Sequence, residues 1–189
     1  MISVKHILYA AIPVCLAAAV IACVSFVRSR KVQPDTDDID GGVVKRYWAD
    51  APKVIESNDI VTFHCEISLI AVCDVDDLGY RVYTLDAALG EGEVCVKCDW
   101  YDRSGKSGKA EYTAAADFME RLQKIVAEYD FAKYNGYYHS VSGLPDMYGE
   151  SLDILYASGE SINAYDNQSG FMRVEAARAL ITLFRAACS

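Results

Sequence analysis

Basic residues are scarce beyond position 31: 14 Lys and Arg stand against 27 Asp and Glu, a formal net charge of −13, while the whole 189-residue chain carries −9. Such a surface repels phosphate backbones, which excludes nucleic-acid binding through a basic patch, and it disfavours docking of the folded part on anionic lipid. Histidine is scarcer still. Its three copies, His6, His64 and His139, are too dispersed to define a metal site, and a hydrogen-bonded or solvated role is expected for each. A second CxxC is missing, so Cys95-Val-Lys-Cys98 cannot complete a four-cysteine zinc centre. That pair also lies in strand-like sequence, where positions three apart face opposite sides, whereas a redox dithiol normally opens a helix. The spacing G-x-x-x-x-G-K-[ST] is absent, because Trp100 stands where the first glycine would precede Gly105-Lys106-Ser107. There is no internal repeat. Neither a cofactor nor a metal is expected, and no set of residues has the spacing of a catalytic site.

Charge is also lacking from Ile7 to Val27, a run of 21 residues. As a helix it spans about 31 Å, the thickness of a hydrocarbon core. Pro13 is tolerated there, and the run exceeds the ~7–15 apolar residues of a secretory signal core. A transmembrane anchor within residues 1–31 is the first reading. The second is a lipid anchor: Val20-Ile21-Ala22-Cys23 resembles a bacterial lipobox, which would make Cys23 the lipidated residue, although Val24, Phe26 and Val27 keep the next positions apolar. Arg28, Arg30 and Lys31 after the run favour a cytoplasmic domain by the positive-inside rule. The N-terminal position of the run, followed by one acidic soluble domain, favours the extracytoplasmic side, and that orientation is expected.

Residues 32–42, with Pro34, four Asp and a Gly pair, read as a flexible acidic linker. Residues 43–189 read as one domain, with Tyr47 and Trp48 as early core anchors. Strict alternation predicts a strand over 59–72 with Val61, Phe63, Cys65, Ile67 and Leu69 on one face. Weaker strands follow over 80–85 and 93–101, then a loop over 102–108. The 3.6-residue stripe of Phe118, Leu122, Ile125 and Tyr129 predicts a helix over 113–129. Residues 131–150 show neither period and read as an ordered loop. A hairpin over 151–157 and 161–165 turns at Gly159, and a last helix covers 171–187. The order βββ-α-ββ-α predicts an α+β fold, an antiparallel sheet with two helices packed on one face.

The tract from Tyr134 to Asn167 stands out for tyrosine interspersed with carboxylate and amide, the chemistry of adaptable binding surfaces. It offers His139, Asp146, Tyr156, Glu160 and Asn167 as candidate binding residues. The competing reading is the mixed rim where a loop packs on a sheet. Of the five cysteines beyond the apolar run, Cys73 and Cys95 are the candidate pair if a disulfide forms; incidental free thiols are the alternative.

Gly143-Leu-Pro-Asp146, Tyr156-Ala-Ser-Gly-Glu160-Ser-Ile162 and Asp166-Asn167 resemble a group of uncharacterised bacterial membrane-anchored or lipoprotein-like domains. The resemblance covers about residues 43–188 and implies a bacterial, membrane-associated protein with no activity to carry over. The expected function is a tethered, non-enzymatic module binding a protein or small ligand at the cell envelope. The alternative is a tethered hydrolase using carboxylates near Asp146 and Glu160. A pocket gathering Asp146, Glu160 and His139 would favour catalysis, and a tyrosine-rich face would favour binding.

Overall fold

The computed structural model describes residues 42–102, 104, 106–143 and 149–186. The apolar run, Cys23, Cys188 and Asp146 lie outside them. No helix among the described residues is long and apolar enough to cross a membrane.

The strands are β1 (Val43–Tyr47), β2 (Ile60–Ser68), β3 (Val82–Leu89), β4 (Glu93–Tyr101), β5 (Ser107–Ala115), β6 (Tyr137–Val141), β7 (Glu150–Tyr156) and β8 (Ser161–Asp166). The helices are α1 (Asp117–Glu128) and α2 (Val174–Ala186). The eight strands form one sheet in the order β1-β6-β8-β7-β2-β3-β4-β5. Every pairing is antiparallel except β6 with β8, which is parallel. This overturns the expected βββ-α-ββ-α antiparallel α+β arrangement. The molecule is mostly β, its sheet is mixed, and its order is five strands, a helix, three strands and a helix.

Each of the three unforeseen strands is hidden for its own physical reason. Strand β5 does alternate, but its inward positions are Gly108, Ala110, Tyr112 and Ala114, and three of these four are too small to read as an apolar face. A Cβ at Gly108 would come within 2.6 Å of the Trp100 indole, so the indole fills the space a side chain would take. Strand β6 is half-buried at every position, which removes the two-residue signal. Strand β1 is an edge strand with little burial to encode. Tyr47 and Trp48, expected in the core, are instead 57% and 49% exposed.

The regular strands behave as their patterns dictate. Phe63, Cys65 and Ile67 of β2, Leu85 of β3, Val94, Val96 and Cys98 of β4, and Leu152 and Ile154 of β7 form the apolar layer of the sheet. The helices close over it. Phe184 of α2 meets Phe118 of α1 edge-on at 5.2 Å and Phe63 of β2 at 5.8 Å. Tyr112 ties the same turn to β5 by donating its hydroxyl to Phe184 O at 2.7 Å. Full burial of a side chain of this size contributes about 1.5–3 kcal/mol, and Phe184→Ala would open a cavity costing about 3–5 kcal/mol. Helix α1 carries Asp117 and Glu120 in its first turn, where the helix dipole favours negative charge. It ends where Asp130 adopts φ 51°, a left-handed conformation that closes the last turn. The β7–β8 hairpin turns through Gly159 at φ 88°, the conformation its sequence predicted.

Candidate functional site

Register parity decides which polar side chains meet. Glu150 opens β7 and Asp166 closes β8, and they stand directly opposite in the antiparallel ladder. His139 of β6 stands opposite Asp166 in the parallel ladder. Glu150 is in phase with Leu152 and Ile154, and Asp166 is in phase with Ile162 and Ala164, so both carboxylates point to the apolar side of the sheet. They are 4% and 1% exposed.

Asp166 is saturated with donors. Its Oδ1 accepts the N–H of Gln168 at 2.8 Å and of Ser169 at 2.9 Å. Its Oδ2 accepts the hydroxyls of Tyr137 and Ser169, each at 2.9 Å. His139 Nδ1 lies 3.0 Å from the same oxygen without the alignment of a hydrogen bond. Burial opposes charge on Asp166, but the surrounding donors outweigh it and hold the carboxyl below its ordinary range. Tyr137 pays the converse: burial and then the Asp166 charge push its hydroxyl up to about 12.

Glu150 is treated oppositely. Burial pushes its carboxyl up to about 7, and the Asp166 charge adds to that; the N–H groups of Met172 and Phe171, each 2.7 Å from Oε2, only partly offset it. Oε1 accepts no hydrogen bond from the described residues and faces Gly170, where a Cβ would sit 2.9 Å from it. The carboxyl lines a cavity of about 220 Å³ together with Leu69, Val72, Gln168 and Met172.

The expected site residues divide. Asn167 adjoins this cluster, but its role is structural. Its amide accepts the N–H of Val141 and donates to Val141 O, both at 2.9 Å, imitating a strand partner for β6. Glu160 sits at the far end of β8, about 20 Å from Asp166 by strand rise, and its carboxylate accepts the N–H groups of Glu56 and Ser57 at 3.0 Å. Those two bonds, with the Ser158 hydroxyl, lower its pKa. Tyr156 is a core residue, its hydroxyl pushed up to about 12 chiefly by burial. His139 and Glu160 are therefore not gathered into one pocket, and Asp146 lies outside the described residues.

Neither Glu150 nor Asp166 stands out in the sequence as a site residue by composition or motif. The signal was present in both strands: each carboxylate occupies a position that period-two alternation assigns to the apolar face.

A second feature lies on the opposite face, at the β1 end of the sheet. Tyr138 stacks on Tyr165 at 5.2 Å, and Trp48 meets Tyr138 edge-on at 6.2 Å. Arg46 lies opposite Tyr138 in the β1–β6 ladder. Farther along this face the residues are polar: His64 Nδ1 is 2.7 Å from Asp86, Ser151 donates to Glu66 at 3.1 Å, and Lys97 pairs with Glu111 at 3.1 Å.

Among the described residues no group of three or more His, Cys, Asp or Glu side chains can hold a metal ion. Among the described residues Cys73 and Cys95 are exposed, Cys65 and Cys98 are buried, and none of the four is in a disulfide. Burial, followed by the neighbouring carboxylates led by Glu150, raises the Cys65 thiol well above its ordinary pKa, so it is unreactive. Cys95 and Cys98 face opposite sides of β4, as strand spacing requires. No family model matches the chain, and comparison with curated proteins and with solved structures likewise yields no match.

Proposed function

We propose that this chain is a membrane-tethered, non-catalytic binding module of the bacterial cell envelope, held by residues 7–27 with its folded part outside the cytoplasm. In this reading it engages a protein partner through the aromatic edge of its sheet. The observation that carries the reading is the Trp48–Tyr138–Tyr165 array on the polar face of the β1 edge, with Trp48 half exposed. Large aromatic rings left half in water on an edge strand are the side chains that dominate protein interfaces. Tether and orientation rest on the uncharged 21-residue run and on the resemblance carried by residues 143–167.

The opposed carboxyls of Glu150 and Asp166 give a tethered hydrolase one supporting observation, since an acid and a base with divergent pKa values are what such chemistry uses. Asp166 weighs against it: both its oxygens are occupied by internal donors, leaving no lone pair directed at a water or substrate.

The test combines fractionation with capture. The full chain should remain with membranes after a carbonate wash, and its domain should be cleaved by protease added to intact cells. Capture from those membranes should return a partner that Trp48→Ala and Tyr138→Ala lose while both variants keep the parental melting temperature. A soluble, unprocessed full-length protein would overturn the tether, and undiminished capture by both variants would overturn the binding edge.

A further inference from the structure

The cavity at Glu150 is distinct from the aromatic edge, and it combines three features. It is a partly open recess of about 220 Å³. That is below the several hundred Å³ of drug-sized sites, so an occupant must be small. Its polar end is a carboxyl 96% withdrawn from solvent. Oε2 of that carboxyl is engaged by two backbone N–H groups, while Oε1 takes no hydrogen bond among the described residues. Its remaining wall is largely apolar, from Leu69, Val72, Met172 and Val174.

Among the described residues, the charge that lines it has one sign. None of the described residues lining the cavity is basic, and Asp166 stands beside Glu150 in the ladder. Arg81 reaches only the outside of the wall, where it donates to Val72 O and pairs with Asp76. An anionic occupant would meet unopposed negative charge. A divalent metal would find one carboxylate where it needs several oxygen ligands, and no metal-binding cluster forms among the described residues. One carboxylate oxygen at the end of an apolar pocket matches a single positive hydrogen-bond donor carried on a short hydrocarbon body.

We propose that the Glu150 cavity binds a small primary alkylammonium ion, its charged nitrogen donating to Glu150 Oε1 and its hydrocarbon chain lying against Leu69, Val72 and Met172. The negative potential of the body concentrates such cations near the mouth. The charge-assisted bond supplies selectivity over a neutral alcohol of the same shape.

The test uses the full-length protein in detergent with ¹³C-methyl methionine, held at about pH 8.5 so that the Glu150 carboxyl, pushed up to about 7, is ionised while the amine keeps its proton, and titrated with n-butylamine, n-butanol and butyrate. Met172 lines the cavity, and Met119, buried on α1, reports the fold. Butylamine should move the Met172 methyl signal saturably and leave Met119 in place, whereas butanol and butyrate at equal concentration should not move Met172. Glu150→Gln should weaken butylamine binding about tenfold or more, the loss expected for one charged hydrogen bond. Ala71→Trp, a change at an exposed position on the cavity rim, should block the response without disturbing Met119 and decides the matter if Glu150→Gln unfolds. An unmoved Met172, an equal response to butanol, or undiminished binding by folded Glu150→Gln or Ala71→Trp would overturn the proposal.

Discussion

Glu150 and Asp166 stand opposite one another in the β7–β8 ladder, both buried, and their surroundings drive the two carboxyls in opposite directions. Asp166 gathers donors from the following turn and from Tyr137, so its charge is solvated by the protein. Glu150 has two backbone N–H groups on one oxygen and a negative neighbour, so its proton is held until about pH 7.

The pH dependence of stability follows with a definite sign. Glu150 titrates near 4.5 when unfolded and about 7 when folded, so between those values the folded protein keeps a proton that the unfolded chain has released. Stability attributable to Glu150 is therefore full below pH 4.5 and lost as pH rises toward 7, by about 3 kcal/mol. Urea melts from pH 4.5 to 8 should show this decline, and Glu150→Gln should flatten it. An unchanged slope in the variant would show that Glu150 does not titrate in this window.

Asp166 acts at the acid end. Its depressed pKa means that its contribution is present above about pH 3.8 and disappears as pH falls through the lower folded value. Asp166→Asn removes an acceptor shared by several donors and should cost about 2–4 kcal/mol at neutral pH. Chemical denaturation measures it; a loss below 1 kcal/mol would mean that the donors find other partners.

Gly170 is predicted to be intolerant because of Glu150 alone. A Cβ there would press to 2.9 Å on Oε1 of a carboxyl whose other oxygen is held by two backbone N–H groups. Gly170→Ala should destabilise by about 1–3 kcal/mol, the usual cost of overpacking. In a Glu150→Ala background most of that cost should vanish, and additivity of the two substitutions would contradict the contact.

Asn167 supports the β1–β6 edge through two bonds to Val141. Asn167→Ala should speed hydrogen exchange of the β6 and β1 amides by about tenfold or more, since each lost bond to a buried partner removes about 1 kcal/mol. Amides of β2, β3 and β4 should keep their protection. A uniform increase across the sheet would point to global destabilisation instead.

What the sequence revealed follows from how each strand is buried. β2 and β4 were legible because one face meets the core and the other meets water, and the β7–β8 hairpin because Gly159 supplies its turn. β5 was hidden because Trp100 fills the space at Gly108 and Ala110 and Ala114 are small, leaving Tyr112 as its one large inward residue. β6 was hidden because its tyrosines contact structure on both faces. The parallel β6–β8 pairing depends on a long-range register that no local pattern encodes. The same reasoning explains the site. Glu160 and Asn167 were conspicuous through composition but serve the hairpin and the edge, whereas Glu150 and Asp166 are marked only by their phase relative to Leu152 and Ala164.

The claim that the aromatic edge is the working surface is tested most directly by photo-crosslinking from position 46, which stands opposite Tyr138, in the full-length protein within native membranes. The account predicts a discrete protein adduct from Arg46→benzoylphenylalanine, abolished by Trp48→Ala, with none from the same probe at Thr113 on the opposite edge of the sheet. Adducts of equal yield from both positions, or none at position 46 in protein shown to be folded and membrane-bound, would contradict it.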